Sequence, residues 1–597
     1  FAQTKDMPYG VYTVHQTVGW EGTEFIADFD VNISENGQTY RYLINNAEFE
    51  SYVKVVKVDS ETGKTIPYEG AGFEIYDSNG QKISMTFSYP TPTTIDVFYT
   101  NNEGYLITPE VLLYGEYSLV EVQAPYGYAL DKTPVAFSVS LENAEKENSL
   151  TIVKVEKQNT AQKGRISVQK TGDIFTSVNM ASSAYTDENG ELVVNSTTYT
   201  PVFADGDLSG AVFQVIAVED IVTLDGTTRA YAGDVVSEIT TDENGYAETE
   251  PLYLGKYEVR EIKAPDGYVL NNEPKDVEVT YAGQEFEVRD TVNTAFENEY
   301  QGVRISLSKV MENDELFGIY GKDYYTSVRF GLFAAEDITA ADGSVIPADG
   351  LLSEVSLDEN MTAKFDVQIP FGRYYVKEIS TDEHYVLGGE KYLVNFEYMG
   401  QDIRTVDIDC GQFVNLLKRG RIEGHKVDDK SEPLENAVFG LFTADCVKFS
   451  RDTAIMTAVS DENGFFEFDD VPFGKYIVRE IESPRGYILS DKEYTVSISE
   501  DGEVIEITAE NKPITVEISK RDIYGNELEG AEMVLENADG ETVDKWTSDG
   551  KNHIVSKLGT GEYVLKEIAA PDGYIIATDI KFNVDVYGNV TVENVDS

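Results

Sequence analysis

Apolar and polar residues alternate along most of the chain, in short runs separated by turns rich in Gly, Asn and Asp. A period of two puts alternate side chains on one face of a β-strand, and no stretch sustains the 3.6-residue period of a helix. The turns "TNNEG" from Thr100, "TDENG" from Thr241 and "SDENG" from Ser460 read as hairpin connections, because these residues tolerate the backbone angles of tight turns. The pattern predicts an all-β chain built of tandem sandwiches.

One stretch recurs. "GEYSLVEVQAPYGY" from Gly115 has relatives starting at Gly255, Gly372, Gly474 and Gly561, each with Glu six residues after the Gly. A sixth copy, from Gly10, keeps the spacing but carries Gln16 in the Glu position. Upstream of each full copy lies a strand pattern ending in Lys: "YVKVVKVD", "RISVQKTG", "RISLSKVM", "RIEGHKVD" and "TVEISKRD". A third element is an Asn near the end of each unit, at Asn46, Asn159, Asn298, Asn415 and Asn511. The first four precede the next Lys by eleven residues and the last by nine, so the last strand of one unit leads almost directly into the first of the next. This spacing predicts units at 51–161, 162–300, 301–418, 419–512 and 513–597. Residues 1–50 read as the C-terminal part of a further unit whose first strands and Lys lie upstream, and the last unit reads as lacking its final strand.

The alternation has one consistent offence against burial. Lys57 is in phase with Val53 and Val55, Lys170 with Ile166 and Val168, Lys309 with Ile305 and Leu307, and Lys520 with Val516 and Ile518. Lys426 shares its face with Ile422 and Gly424, a weaker case, and Asn159 shares its face with Lys157. The glutamates follow suit, as Glu261 does with Tyr257 and Val259. Desolvation lowers the pKa of a buried Lys and raises that of a buried acid, so the pair can rest as neutral amine and neutral acid. A neutral amine is a nucleophile. With an Asn carboxamide beside it, the acid can hydrogen-bond the amide oxygen, move protons and help expel ammonia, leaving a Lys–Asn isopeptide bond. The alternative is a buried ion pair with a hydrogen-bonding Asn. Recurrence of the three residue types, in order and in phase across four units, favours the bond.

Composition narrows the class. A net charge of -60 opposes nucleic acid and anionic membrane surfaces as partners. Two cysteines, Cys410 and Cys446, cannot staple 597 residues and are expected to be free thiols. His15, His384, His425 and His553 form no ligand-spaced cluster, and no metal or cofactor is expected. No apolar run reaches membrane-spanning length, so no insertion is expected within this stretch.

"KVDSETGKTIPYEGAGFEIY" together with "YSLVEVQAPYGY" resembles the Cna B-type, or SpaA-like, domains of Gram-positive surface proteins and pilins. The resemblance implies immunoglobulin-like (prealbumin-like) sandwiches, each closed by an autocatalytic isopeptide bond. It implies the triplets Lys57, Glu121 and Asn159; Lys170, Glu261 and Asn298; Lys309, Glu378 and Asn415; and Lys426, Glu480 and Asn511. The 301–418 unit departs from A-P-x-G after its Glu, with "STDEHY". The last unit matches at Lys520 and Glu567 and resembles a subclass with a C-terminal Asp acceptor, for which Asp596 lies too early. Lys520 and Asn46 are therefore unpaired candidates. The implied function is a monomeric cell-wall-anchored adhesin or stalk, with a pilin subunit as its nearest variant and no turnover of external substrate. A second reading is a module binding a host matrix protein, glycan or immunoglobulin through loops such as 173–207, since Lys170 and Glu261 stand 91 residues apart against 47 for Lys520 and Glu567.

Overall fold

The computed structural model describes residues 2–88, 90–186 and 192–593. Its regular structure is almost entirely β-strand, with two short 3-10 turns at Gly321–Asp323 and Tyr325–Ser327. The chain is a tandem array of all-β, prealbumin-like sandwiches. It divides into two compact units: Phe1–Thr176, Phe203–Gly302 and Tyr398–Thr405 form one, and Ser177–Val202, Val303–Glu397 and Val406–Ser597 the other.

In the first unit, the alternating run Glu50–Asp59 lies parallel to Leu150–Asn159, with Lys57 opposite Lys157 and Asp59 opposite Asn159. The facing sheet runs Val135–Val139, Gly115–Gln123, Gly72–Asp77, Phe98–Tyr99. Val53, Val55, Phe73, Ile75, Leu119, Val153 and Val155 interdigitate between the two sheets. The pattern recurs downstream, where Ile166–Thr186 lies parallel to Val292–Asn298 and faces the sheet Val235–Thr240, Val212–Ala217, Gly255–Lys263, Lys275–Val279. A parallel pair of first and last strand brings residues 100 to 128 positions apart together at the core.

The second unit repeats this arrangement. Gly302–Met311 sits between Thr362–Val367 and Thr405–Asn415, and Arg419–Asp428 between Phe465–Pro472 and Val504–Asn511, to which it is parallel. Gly424, the weak point of the alternation, is occupied for a packing reason: a Cβ there would stand 2.1 Å from the Phe466 ring, which fills the space. Thr515–Ile518 pairs with His553–Ser556, and no parallel strand flanks it among the described residues. Asp596 lies outside them.

Two expectations are corrected. The Asn/Asp-Gly turns are not hairpin tips, since the strands on either side of Thr100, Thr241 and Ser460 belong to opposite sheets. Asp242 caps its own turn by accepting from the backbone N–H groups of Asn244 and Tyr246. At its apex Gly245, with φ 68°, lies so close to the Lys170 carbonyl that a Cβ would stand 2.3 Å from it, and Gly245 O accepts from Lys170 N. The turn thus braces the lysine's backbone. The stretch 173–207 is likewise no free loop where it is described, at 173–186 and 192–207; residues 187–191 lie outside the described residues. Ile166–Thr186 and Leu192–Asp207 are neighbouring strands, and within the second unit Thr198 pairs with Leu351 while Val178 N donates to Ser344 Oγ. Its Val, Thr and Tyr content favours pairing over display.

The first residues dock locally. Gly10–Val14 pairs with Phe29–Ile33, and Glu21 accepts from the Tyr114 hydroxyl at 2.8 Å.

Candidate functional site

Four lysines lie fully buried on the inward face of their strands: Lys57, Lys170, Lys309 and Lys426. Each meets a buried Glu from the opposite sheet. Nζ to Oε1 distances are 2.9 Å for Lys57 and Glu121, 3.5 Å for Lys170 and Glu261, 3.0 Å for Lys309 and Glu378, and 3.8 Å for Lys426 and Glu480. The Asn from the last strand completes each group. Asn159 Nδ2 donates to Glu121 at 2.7 Å, Asn298 to Glu261 at 2.9 Å, Asn415 to Glu378 at 2.8 Å and Asn511 to Glu480 at 2.9 Å.

The amide's other end distinguishes the sites. Lys309 Nζ donates to Asn415 Oδ1 at 2.6 Å, and Lys170 Nζ donates to Asn298 Oδ1. Lys57 and Lys426 instead donate to the backbone carbonyls of Lys157 and Ala509, and Asn159 Oδ1 and Asn511 Oδ1 have no hydrogen-bond partner among the described residues. Desolvation is the main cause that brings Lys57, Lys170 and Lys426 down to about 8, against the pull of their glutamates in the other direction. It lowers Lys309 as well, and raises Glu261 and Glu480. These are the directions that favour neutral amine beside neutral acid.

Lys157, which clouded the phase of Asn159, is buried with its own counterion: Nζ donates to Asp131 Oδ2 and to Thr133 O, each at 2.7 Å. Lys520 reaches Glu567 Oε2 at 3.0 Å, but its strand stops at Ile518 and its side chain stays 19% exposed. Glu567 Oε1 has no hydrogen-bond partner among the described residues.

Two positioning devices escaped the sequence. The register slips directly after each Glu, so that Glu121, Glu261, Glu378, Glu480 and Glu567 each sit at the edge of a β-bulge, opposite Phe73, Phe213, Phe330, Phe439 and Met533. A bulge re-aims a side chain without ending the strand. The backbone N–H ten residues further on then donates to the carboxylate oxygen that faces away from the lysine, from Asp131, Asn271, Gly388 and Ser490; at Glu567 the N–H of Ala577 shares Oε2 with Lys520. The departure "STDEHY" leaves this bond intact at Glu378. Gln16 keeps the relation too, its Oε1 accepting from Ile26 N and from Asn46 Nδ2, both at 3.1 Å. The residues that supply this N–H share no side-chain type, so the sequence carries no signal for it. The Tyr of G-x-Y also has a fixed job: Tyr117, Tyr257, Tyr374, Tyr476 and Tyr563 each donate to the carbonyl four residues earlier, which anchors the start of the Glu strand.

Cys410 and Cys446 are free, and burial pushes the Cys410 thiol up to about 11.

A family model described as a SpaA prealbumin-like fold domain matches residues 51–154, 202–293, 420–513 and 514–596, more than half of the chain. The chain belongs to the SpaA prealbumin-like family. Similar proteins include the trypsin-resistant surface T6 protein of Streptococcus pyogenes serotype M6, 27% identical over 147 residues, which are 25% of this chain and 23% of that protein. The chain thus matches about a quarter of that relative's length. Among solved structures, the Bacillus anthracis TIE protein is 18% identical, with TM-score 0.43, over 85% of this chain and 76% of its own. BcpA, the major pilin subunit of Bacillus cereus, is 18% identical with TM-score 0.26, over 59% of this chain and 100% of its own. In this SpaA-like array the grouping of Lys, Glu and Asn also recurs at Lys309, Glu378 and Asn415, carried by the same strand positions.

Proposed function

We propose that this chain is part of an extracellular stalk or adhesin associated with the cell wall of a Gram-positive bacterium, each of four units closing itself with a Lys–Asn isopeptide bond. The observation that carries this reading is the fourfold burial of amine, carboxyl and carboxamide together between first and last strand. The neutral lysine nitrogen adds to Asn Cγ, and the glutamic acid, which faces the Asn Nδ2, takes up the proton the amine sheds and delivers one to that departing nitrogen. The Cγ–Nδ2 bond breaks, one C–N bond forms, and ammonia leaves. Each site acts once, on its own chain, so the product is a structure and not a turnover. Domain boundaries at 51–161, 162–300, 301–418 and 419–512 follow from this reading, each unit ending with its acceptor strand.

A bond between first and last strand lets tension enter one and leave by the other without unzipping the sandwich. Pulled from its two ends in a single-molecule extension experiment, the chain gives no unfolding step for the segments between each Lys and its Asn. Steps of about 35 nm, the extended length of ~100 residues, would overturn the stalk reading.

Bond formation also carries a pH signature. Neutral amine with neutral acid holds the same single proton as the ion pair, so crosslinking of newly made chain is expected to be flat with pH across the neutral range and to fall about tenfold per pH unit above about 8, where Lys170 and Glu261 lose that shared proton. A rate that instead climbs about tenfold per pH unit from 6 to 8 would remove the protonated glutamate from the reaction. Before the bond forms, the unfolded chain binds more protons than the folded one between 8 and 10.5, so stability of the open form rises with pH in that window.

A further inference from the structure

In the first unit the strand holding each candidate glutamate is followed by a loop, 124–131 or 264–271, whose last N–H binds that glutamate. Both loops are gripped by a short segment of later sequence. "YAGQ" at 281–284 serves the first and "YMGQ" at 398–401 the second. Gln284 Oε1 accepts from Ala124 N at 2.9 Å and its carbonyl from Leu130 N at 2.7 Å; Gln401 Oε1 accepts from Ala264 N at 2.9 Å and its carbonyl from Leu270 N at 2.9 Å. Each glutamine therefore spans the loop, fixing its first residue and the residue just before the N–H that holds Glu121 or Glu261.

The gripping segments are themselves held in shape by a second, buried glutamine. Gln162 Nε2 donates to Gly283 O and Phe286 O, and its Oε1 accepts from Ala282 N. Gln301 repeats this with Gly400 O, Ile403 O and Met399 N. Gln162 and Gln301 stand three residues after Asn159 and Asn298, so the acceptor strand leads straight into the joint.

We infer that Gln284 and Gln401 are positioning residues for the crosslinking site of the preceding unit. Closure at Lys57, Glu121 and Asn159 is then completed by a loop from the 162–300 segment, and closure at Lys170, Glu261 and Asn298 by the loop 398–405. The inference rests on the isopeptide reading. It adds an order of events: a site reaches full rate only once the later segment has been made and has folded onto it.

The test uses the full chain, synthesised in a short cell-free pulse, with each crosslinked tryptic peptide followed over time. Gln284→Met keeps the volume but loses the acceptor, and is expected to slow the Lys57–Asn159 link about three- to tenfold while leaving Lys170–Asn298 unchanged. Gln284→Glu keeps an acceptor oxygen and restores the rate. Gln401→Met moves the defect to Lys170–Asn298. Gln162→Ala, which loosens the gripping segment, slows Lys57–Asn159 as a second route to the same effect. An unchanged Lys57–Asn159 rate in Gln284→Met, or equal slowing at both sites, overturns the inference. Wild-type chain with no crosslinked peptides overturns it together with the isopeptide reading, and that case is recognised before any variant is compared.

Discussion

Under denaturing, reducing conditions the intact chain is expected to weigh four ammonia equivalents less than its sequence, about 17 Da for each bond. Four is the count because, among the described residues, four sites bring amine, acid and carboxamide together. Lys520 and Glu567 meet no carboxamide among the described residues, and Asn46 meets Gln16, which accepts hydrogen bonds but cannot shuttle a proton as an acid does. Glu261→Gln retains the size of the side chain and an acceptor for Asn271 N, and is expected to restore one ammonia equivalent while the unit stays folded. A young sample should show order. At Lys170 and Lys309 the amine already points at the amide oxygen, whereas at Lys57 and Lys426 it is turned to a backbone carbonyl and must swing first. An unshifted mass would leave four buried ion pairs inside ordinary sandwiches, and a Glu261→Gln chain still lacking four equivalents would remove the glutamate from the reaction.

The site was legible because it breaks a strong rule. A Lys in phase with Val53 and Val55 has no business in a core unless something there receives it, and alternation of period two makes the phase unambiguous. The order of strands was also readable, since Asn at the end of one unit and Lys at the start of the next leave room for little else. What stayed hidden depends on main-chain geometry. The bulge after Glu261 and the N–H of Asn271 leave no side-chain signature, because any residue can supply an amide hydrogen. The turns at Asn101, Asp242 and Asp461 were read as hairpins because Asx-Gly chemistry specifies a tight reversal, but not which sheet the chain enters afterwards. The stretch 173–207 looked like a loop because its length was measured against shorter units, although its Val, Thr and Tyr already argued for strands.

Lys170→Met is expected to destabilise its unit more than loss of the crosslink alone can explain, and the excess should depend on pH. The proposed bond between Lys170 and Asn298 would close 128 residues. By chain entropy that closure contributes about 4–5 kcal/mol, or roughly 15 °C in Tm. The double variant Lys170→Met with Glu261→Gln loses this term while leaving no charge in the core. Lys170→Met alone also strands the Glu261 carboxyl without its cation, which costs a further ~3–5 kcal/mol when the carboxyl is ionised. Burial already raises Glu261 above 4.5, and removing Lys170 takes away the charge that opposes that rise. The folded single variant then binds more protons than the unfolded chain in the window above 4.5, so its stability falls as pH rises through that window and recovers on acidification. The double variant should show no such slope. Thermal unfolding of the two at pH 5 and pH 7.5 separates the terms: convergence at low pH and divergence at high pH assigns the excess to Glu261. Parallel curves would mean that Lys170 contributes only through the bond, and that its glutamate is solvated or re-paired once the lysine is gone.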